Sequence, residues 1–143
     1  MAQNKIIDDF RKLQSLLDSG ATFIAFDTET TGLNSTSDRV IEIGAIKFDK
    51  SGVIDKFETL INPQRSIPTE CTEINHITNE MVKDAPLAVD ALVSFSEFAK
   101  DSILIAHNVN FDLNFISEEL ARTKLPALKN KALDTLTFVR WAY

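Results

Sequence analysis

One stretch decides the reading of this chain: Phe23-Ile24-Ala25-Phe26-Asp27-Thr28-Glu29-Thr30-Thr31-Gly32-Leu33. Thr22 to Asp27 is a short apolar run suited to a buried strand. It ends in two carboxylates, Asp27 and Glu29. Positions i and i+2 of a strand project to the same side, so the two acids converge. Like charges brought together repel, and such a pair is tolerated when protonated or bound to a cation. Oxygen donors select hard ions such as Mg²⁺ and Mn²⁺. Thr30-Thr31-Gly32 reads as a tight turn whose backbone can approach a ligand closely. The plainer alternative is two solvated acids in a strand-end loop. Against it, Asp27 abuts Phe23 to Phe26, where solvation is poor.

A second segment has the same build. His107-Asn108-Val109-Asn110-Phe111-Asp112 follows an apolar run, Ser102 to Ala106, and opens a helix. A carboxylate in the first helical turn is favoured by the dipole, so Asp112 has a structural reading. Placed beside Asp27 and Glu29 it would instead complete a pocket of three carboxylates. Asn108 and Asn110 supply either polar contacts or turn geometry.

Outward from these segments the chain alternates helix and strand. Residues 5 to 18 carry Ile6, Phe10, Leu13 and Leu17 at helical spacing, with Gly20 placed to end the helix. Arg39 to Asp49 and Val53 to Ile61 form a predicted hairpin around Gly52. Asn62-Pro63 and Ile67-Pro68 break the chain, and Glu70 to Met81 reads as short helix and loop. Pro86 opens a helix with Leu87, Ala91, Val93, Phe95 and Phe98 as core positions. Phe111 to Thr123 is a further helix, Lys131 to Asp134 a last strand, and another helix begins at Thr135. The pattern predicts one α/β domain over residues 1–143, a mixed β-sheet flanked by helices.

Composition narrows the function classes. In 143 residues, 15 basic and 21 acidic side chains give a net charge of −6. That argues against a general phosphate-coating surface, which is normally basic. The imbalance is local, however, because Arg122, Lys124, Lys129, Lys131 and Arg140 lie close to the end with a single acid, Asp134. This is either a solvated face or an attraction for a polyanion. Cys71 is the lone cysteine, which excludes an internal disulfide and a multi-cysteine zinc site. No secretory signal and no membrane-length apolar run is present, so a cytoplasmic location is expected.

The two acidic segments together resemble the DEDD superfamily of 3′–5′ exonucleases, and within it the DnaQ-like group of proofreading epsilon subunits and replicative-polymerase exonuclease domains. Val40-Ile41-Glu42-Ile43-Gly44-Ala45, Asn62-Pro63, Ile77-Thr78 with Met81, and Leu133-Asp134-Thr135 extend the match from about Thr22 to the last residue. The resemblance implies an RNase H-like core over residues 21–143, behind the amphipathic N-terminal helix that the pattern predicts over residues 1–20. It implies hydrolysis of single-stranded 3′ ends to nucleoside monophosphates, in DNA proofreading or repair. Two divalent ions, Mg²⁺ or Mn²⁺, about 3.5–4 Å apart would clamp the attacking and leaving oxygens. By the same resemblance Asp27, Glu29 and Asp112 are the catalytic metal ligands. Thr30, Thr31, Gly32, Leu33, His107, Asn108 and Phe111 would receive the substrate. The partners implied are a single-stranded DNA 3′ end and a DNA polymerase subunit. The alternatives are an RNA-trimming enzyme of the RNase T or oligoribonuclease type, and a non-catalytic module that binds nucleic acid or a polymerase.

One family element is missing. The His-type branch supplies its general base and last carboxylate as His-x-x-x-x-Asp on a final helix. His107 fits that spacing only through Asp112, which the second segment already uses, and His76 fails it. The expectation is a chain truncated at its C-terminus, slowed by the loss of a base worth roughly 10²–10⁴ in rate. Leu136, Phe138, Val139, Trp141 and Tyr143 would then form an uncovered apolar helix prone to self-association.

Overall fold

A computed structural model describes residues 2–137. Among the described residues six strands form one sheet: β1 (Ile6–Ile7), β2 (Phe23–Thr30), β3 (Val40–Asp49), β4 (Gly52–Leu60), β5 (Ile103–Ala106) and β6 (Ala132–Asp134). Their spatial order is β1-β6-β5-β2-β3-β4. The pairs β1–β6, β6–β5 and β5–β2 are parallel, whereas β2–β3 and β3–β4 are antiparallel. The helices are α1 (Phe10–Asp18), α2 (Thr69–Asn75), α3 (Asn79–Val82), α4 (Ala88–Ala99) and α5 (Val109–Arg122). This is the mixed, helix-flanked sheet that the alternation of elements predicts.

Alternation along β2 sorts the layers. Ile24 and Phe26 face α4 and α5, packing with Leu92, Phe95, Leu113 and Phe115. Phe23 points to the opposite face, where Leu13, Leu16 and Leu17 of α1 cover it together with Ile103 and Leu133. A third cluster, Ile41, Ile67, Ile77 and Val82, ties α2 and α3 to the rim of the hairpin. On α4 the core face is Ala88, Ala91, Leu92, Phe95 and Ala99, while Val93 is 52% exposed and Leu87 39% exposed. Those two predicted core positions lie off the 3.6-residue stripe.

The N-terminal helix is shorter than residues 1–20. It starts at Phe10, because Asp9 accepts the Arg11 backbone N–H at 2.9 Å and caps it there. Ile6 and Ile7 form a parallel edge strand instead, in register with Ala132 and Leu133. Adjacent β-branched residues fit an edge strand better than a helix turn, and tertiary pairing overrides the helical spacing. The chain is helical again at 135–137. Phe138, Val139, Trp141 and Tyr143, and with them the expected apolar terminal helix, lie outside the described residues. No helix among the described residues is long and apolar enough to cross a membrane.

His76 ends α2 in the left-handed region, at φ 62°, with its N–H bonded to Thr72 O at 2.7 Å. An L-residue is strained there and glycine is not. We expect His76→Gly to stabilise the fold by about 0.5–1 kcal/mol. In a thermal melt that is a rise of about 2–4 °C, and a fall would show that the imidazole makes stabilising contacts.

Candidate active site

Both acidic segments sit at the carboxyl ends of neighbouring parallel strands, β2 and β5, where open α/β sheets characteristically bind ligands. β2 runs through Thr30, so Asp27 and Glu29 both lie within the strand and share a face. Asp27 is exposed and Glu29 half-buried. The face they share is open beyond the end of α1. A cleft of about 570 Å³ lies there, lined by Ala25, Asp27, Gly44, Glu58, Ile105 and His107 among others.

Asp112 reaches the end of β2 from the helix layer. It is 4% exposed. Its Oδ1 accepts the Thr28 hydroxyl at 2.5 Å and the Thr28 backbone N–H at 3.2 Å. β2 pairs with β5 only as far as Ala25, which frees this part of the strand for the carboxylate. The bond fixes Asp112 on the residue between Asp27 and Glu29. Burial pushes its carboxyl up to about 6, and the Asp27 charge adds to that. Glu29 is also raised, first by burial, then by Asp27 and Glu42.

Glu42 and Glu58 are acids the sequence reading did not place. Glu42 is the cross-strand partner of Glu29, and Glu58 pairs through Gly44 with Asp27. Glu42 is raised by burial, Glu58 and Asp27. Alternation in Val40-Ile41-Glu42-Ile43 marks it as facing away from the core, but only the register sets it opposite Glu29.

Among the described residues, no three His, Cys, Asp or Glu side chains are gathered into a ready metal cage. The expected pocket of three carboxylates is therefore not closed. The donor chemistry still fits a hard cation. Asp27 raises each of Glu29, Glu42 and Asp112, so negative charge is concentrated at this strand end. Mg²⁺ commonly takes only one or two carboxylates and completes its shell with water and substrate phosphate.

The turn after β2 is rigidly held. Thr31 is 2% exposed, and its N–H bonds Arg39 O at 2.9 Å. Its hydroxyl accepts the Arg39 N–H at 2.9 Å and donates to Asp38 Oδ1 at 3.3 Å. Its carbonyl takes the Cys71 thiol at 3.2 Å. Thr31 is thus a strut, unlike its neighbours. Thr30 Oγ1 donates to Gly32 O at 2.6 Å, and Leu33 projects 86% exposed. A Cβ on Gly32 would lie 2.3 Å from Asp38 Oδ2. Gly32→Ala should displace Asp38 and cost about 1–3 kcal/mol in a denaturant titration. An unchanged midpoint would mean the carboxylate swings away freely.

The remaining predicted site residues divide. His107 is exposed in the cleft, with Nδ1 3.1 Å from Thr135 Oγ1. Asn108 adopts φ 62° and gives its N–H to Asp134 Oδ1 at 2.9 Å, so it shapes the entry to α5. Phe111 is half-buried, its ring 5.0 Å from that of Phe115.

The exonuclease family model RNase_T matches residues 24–143. DNA polymerase III subunit epsilon of Treponema pallidum is 49% identical over 113 residues, 79% of this chain and 53% of that protein. The PolC-type DNA polymerase III of Caldanaerobacter subterraneus subsp. tengcongensis is 46% identical over 121 residues, 85% of this chain and 9% of that one. This chain thus spans about half of the first relative and a small part of the second. Exonuclease I in its apo form superposes with a TM-score of 0.80 at 20% identity, over 87% of this chain and 31% of that one. The E. coli enzyme in complex with a dT13 oligonucleotide gives 0.78 at 20% identity, over 86% and 30%. That likeness establishes the RNase H-like exonuclease fold. With the family match over residues 24–143, it follows that the chain belongs to the RNase_T family of DnaQ-like exonucleases.

Proposed function

We propose that this chain hydrolyses single-stranded DNA from its 3′ end, releasing nucleoside monophosphates, as the exonuclease part of a DNA polymerase III epsilon or PolC-type assembly. The observation that carries the reading is Asp112, bonded to Thr28, the residue that separates Asp27 from Glu29 along β2. Asp27, Glu29 and Asp112 would hold two divalent ions, Mg²⁺ or Mn²⁺, which supply Lewis-acid stabilisation of the attacked phosphodiester. The rest is done by the chain. Thr28 orients the Asp112 carboxylate through two donors, leaving its second oxygen for the site. The turn Thr30 to Leu33 receives the terminal nucleotide, with Gly32 offering backbone and Leu33 an apolar surface for the base. Thr31 keeps that turn in shape. His107, at the mouth of the cleft, contacts the strand, and Asn108 and Phe111 support that wall. A DNA substrate is supported by the dT13 complex of E. coli Exonuclease I, and polymerase association by the names of the epsilon and PolC relatives.

These 143 residues contain no second His-x-x-x-x-Asp. The 143-residue polypeptide by itself is therefore expected to cleave slowly, by roughly 10²–10⁴ against a chain that carries such a base. The test is a 5′-labelled single-stranded DNA oligonucleotide with Mg²⁺ or Mn²⁺. A slow ladder of shortened products that disappears with Asp27→Ala supports the proposal. A ladder that persists in Asp27→Ala overturns it. So does the absence of cleavage when a His-x-x-x-x-Asp helix is supplied.

A further inference from the structure

In the sequence, Glu119 looks like one more charge on an amphipathic helix. The structure buries it to 1% exposure. Its carboxylate accepts Arg39 Nε at 2.7 Å, Arg122 Nη1, and the Val40 N–H at 3.3 Å. Stability alone does not call for this arrangement, since apolar residues of similar volume commonly serve a core as well as a buried ion triad. The far end of Arg122 shows what else the triad does. Its Nη2 donates to the carbonyls of Ser35, Thr36 and Asp38 at 3.0, 3.0 and 3.4 Å, pinning the loop between β2 and β3. Asp38 in turn accepts the Asn34 N–H at 3.0 Å and the Thr31 hydroxyl. Arg39, the other cation of the triad, bonds Thr31 through both its backbone N–H and its carbonyl.

Thr31 in the turn Thr30 to Leu33 is therefore tied to Arg39, and the loop that follows the turn to Arg122, both of them cations that Glu119 holds. Glu119 follows Asp112 by seven positions on α5. Two helical turns put both side chains on one helix face, about 10 Å apart along the axis. One helix sets the carboxylate at the end of β2 and the turn beside it in a fixed relation.

We infer that Glu119, acting through Arg39 and Arg122, is the positioning residue for the nucleotide-receiving turn and sets the chain's preference for a free 3′-hydroxyl end. The inference rests on the reading of that turn given above. Its test is equilibrium binding without divalent ions, so that nothing is cleaved. The probes are two 5′-fluorescein oligothymidylates, one ending in a 3′-hydroxyl and one in a 3′-phosphate, followed by anisotropy. Wild type should prefer the hydroxyl end. Glu119→Gln removes the charge that holds both arginines. Arg122→Lys keeps a cation beside Glu119 but loses the fork that reaches the loop carbonyls. Each should reduce the preference by about three- to tenfold while the 3′-phosphate affinity stays constant. A preference that survives in variants with lowered melting temperatures makes the triad merely structural and overturns the inference. A wild type without preference overturns the reading of the turn itself, and the inference with it. If Glu119→Gln does not fold, Arg122→Lys decides alone.

Discussion

Asp112→Asn is expected to raise stability at neutral pH while abolishing the cleavage ladder. The unfolded carboxyl titrates from 3.8, and burial beside Asp27 pushes the folded one up to about 6. The folded state therefore binds the proton more tightly. Stability from this group is fully present below pH 3.8 and falls as pH rises toward 6. Above that, wild type carries a constant burden of about 2–3 kcal/mol. Asparagine keeps an oxygen for the two Thr28 donors and carries no charge. In chelated buffer the two proteins should have similar stability near pH 4, and the variant should lead by that amount at pH 7.5. Added Mg²⁺ or Mn²⁺ should stabilise wild type by mass action and the variant much less. Denaturation curves that stay parallel across this pH range would show that Asp112 is not the strained carboxylate. Active sites commonly hold groups the fold would be more stable without.

Glu119→Ala should show the largest loss of stability of any single change considered. It leaves Arg39 and Arg122 facing each other where Glu119 was, with the Val40 N–H unpaired. Removing one member of a buried ion pair costs about 3–5 kcal/mol, which is a large share of a typical domain's stability. The melting temperature should fall by about 10 °C or more. A fall of only a degree or two would mean that water reaches the two guanidinium groups and satisfies them.

These two residues also mark what was and was not legible in the sequence. Strand periods, the Gly52 turn and the two acid-bearing segments follow from local chemistry, and β2 to β6 stand where that chemistry puts them. Asp112 was legible because it lies in a motif that follows a strand and opens a helix. Its bond to Thr28 was not, since it depends on β5 ending its pairing at Ala25. Glu119 had no local signal, because a glutamate on an amphipathic helix is ordinarily solvated. Its charge is met by Arg122, three positions along the same helix, and by Arg39, which the fold delivers from 80 positions away. Ile6 and Ile7 fail for the same reason: their strand character comes from a partner near the other end of the chain. His76 is the opposite case, a locally strained residue whose left-handed backbone only the structure reveals.

That distant pairing bears on how the molecule assembles. β1 can form only on an existing β6, and the Asn4 amide that secures it binds the Asn130 carbonyl, 126 positions along the chain. During synthesis residues 4–7 must wait for residues 130–133. The β2–β3–β4 meander, whose contacts are local, is free to nucleate early, whereas the N-terminal edge closes late against a high loop-closure entropy. Trimming the first eight residues should therefore accelerate unfolding and leave the refolding rate almost unchanged.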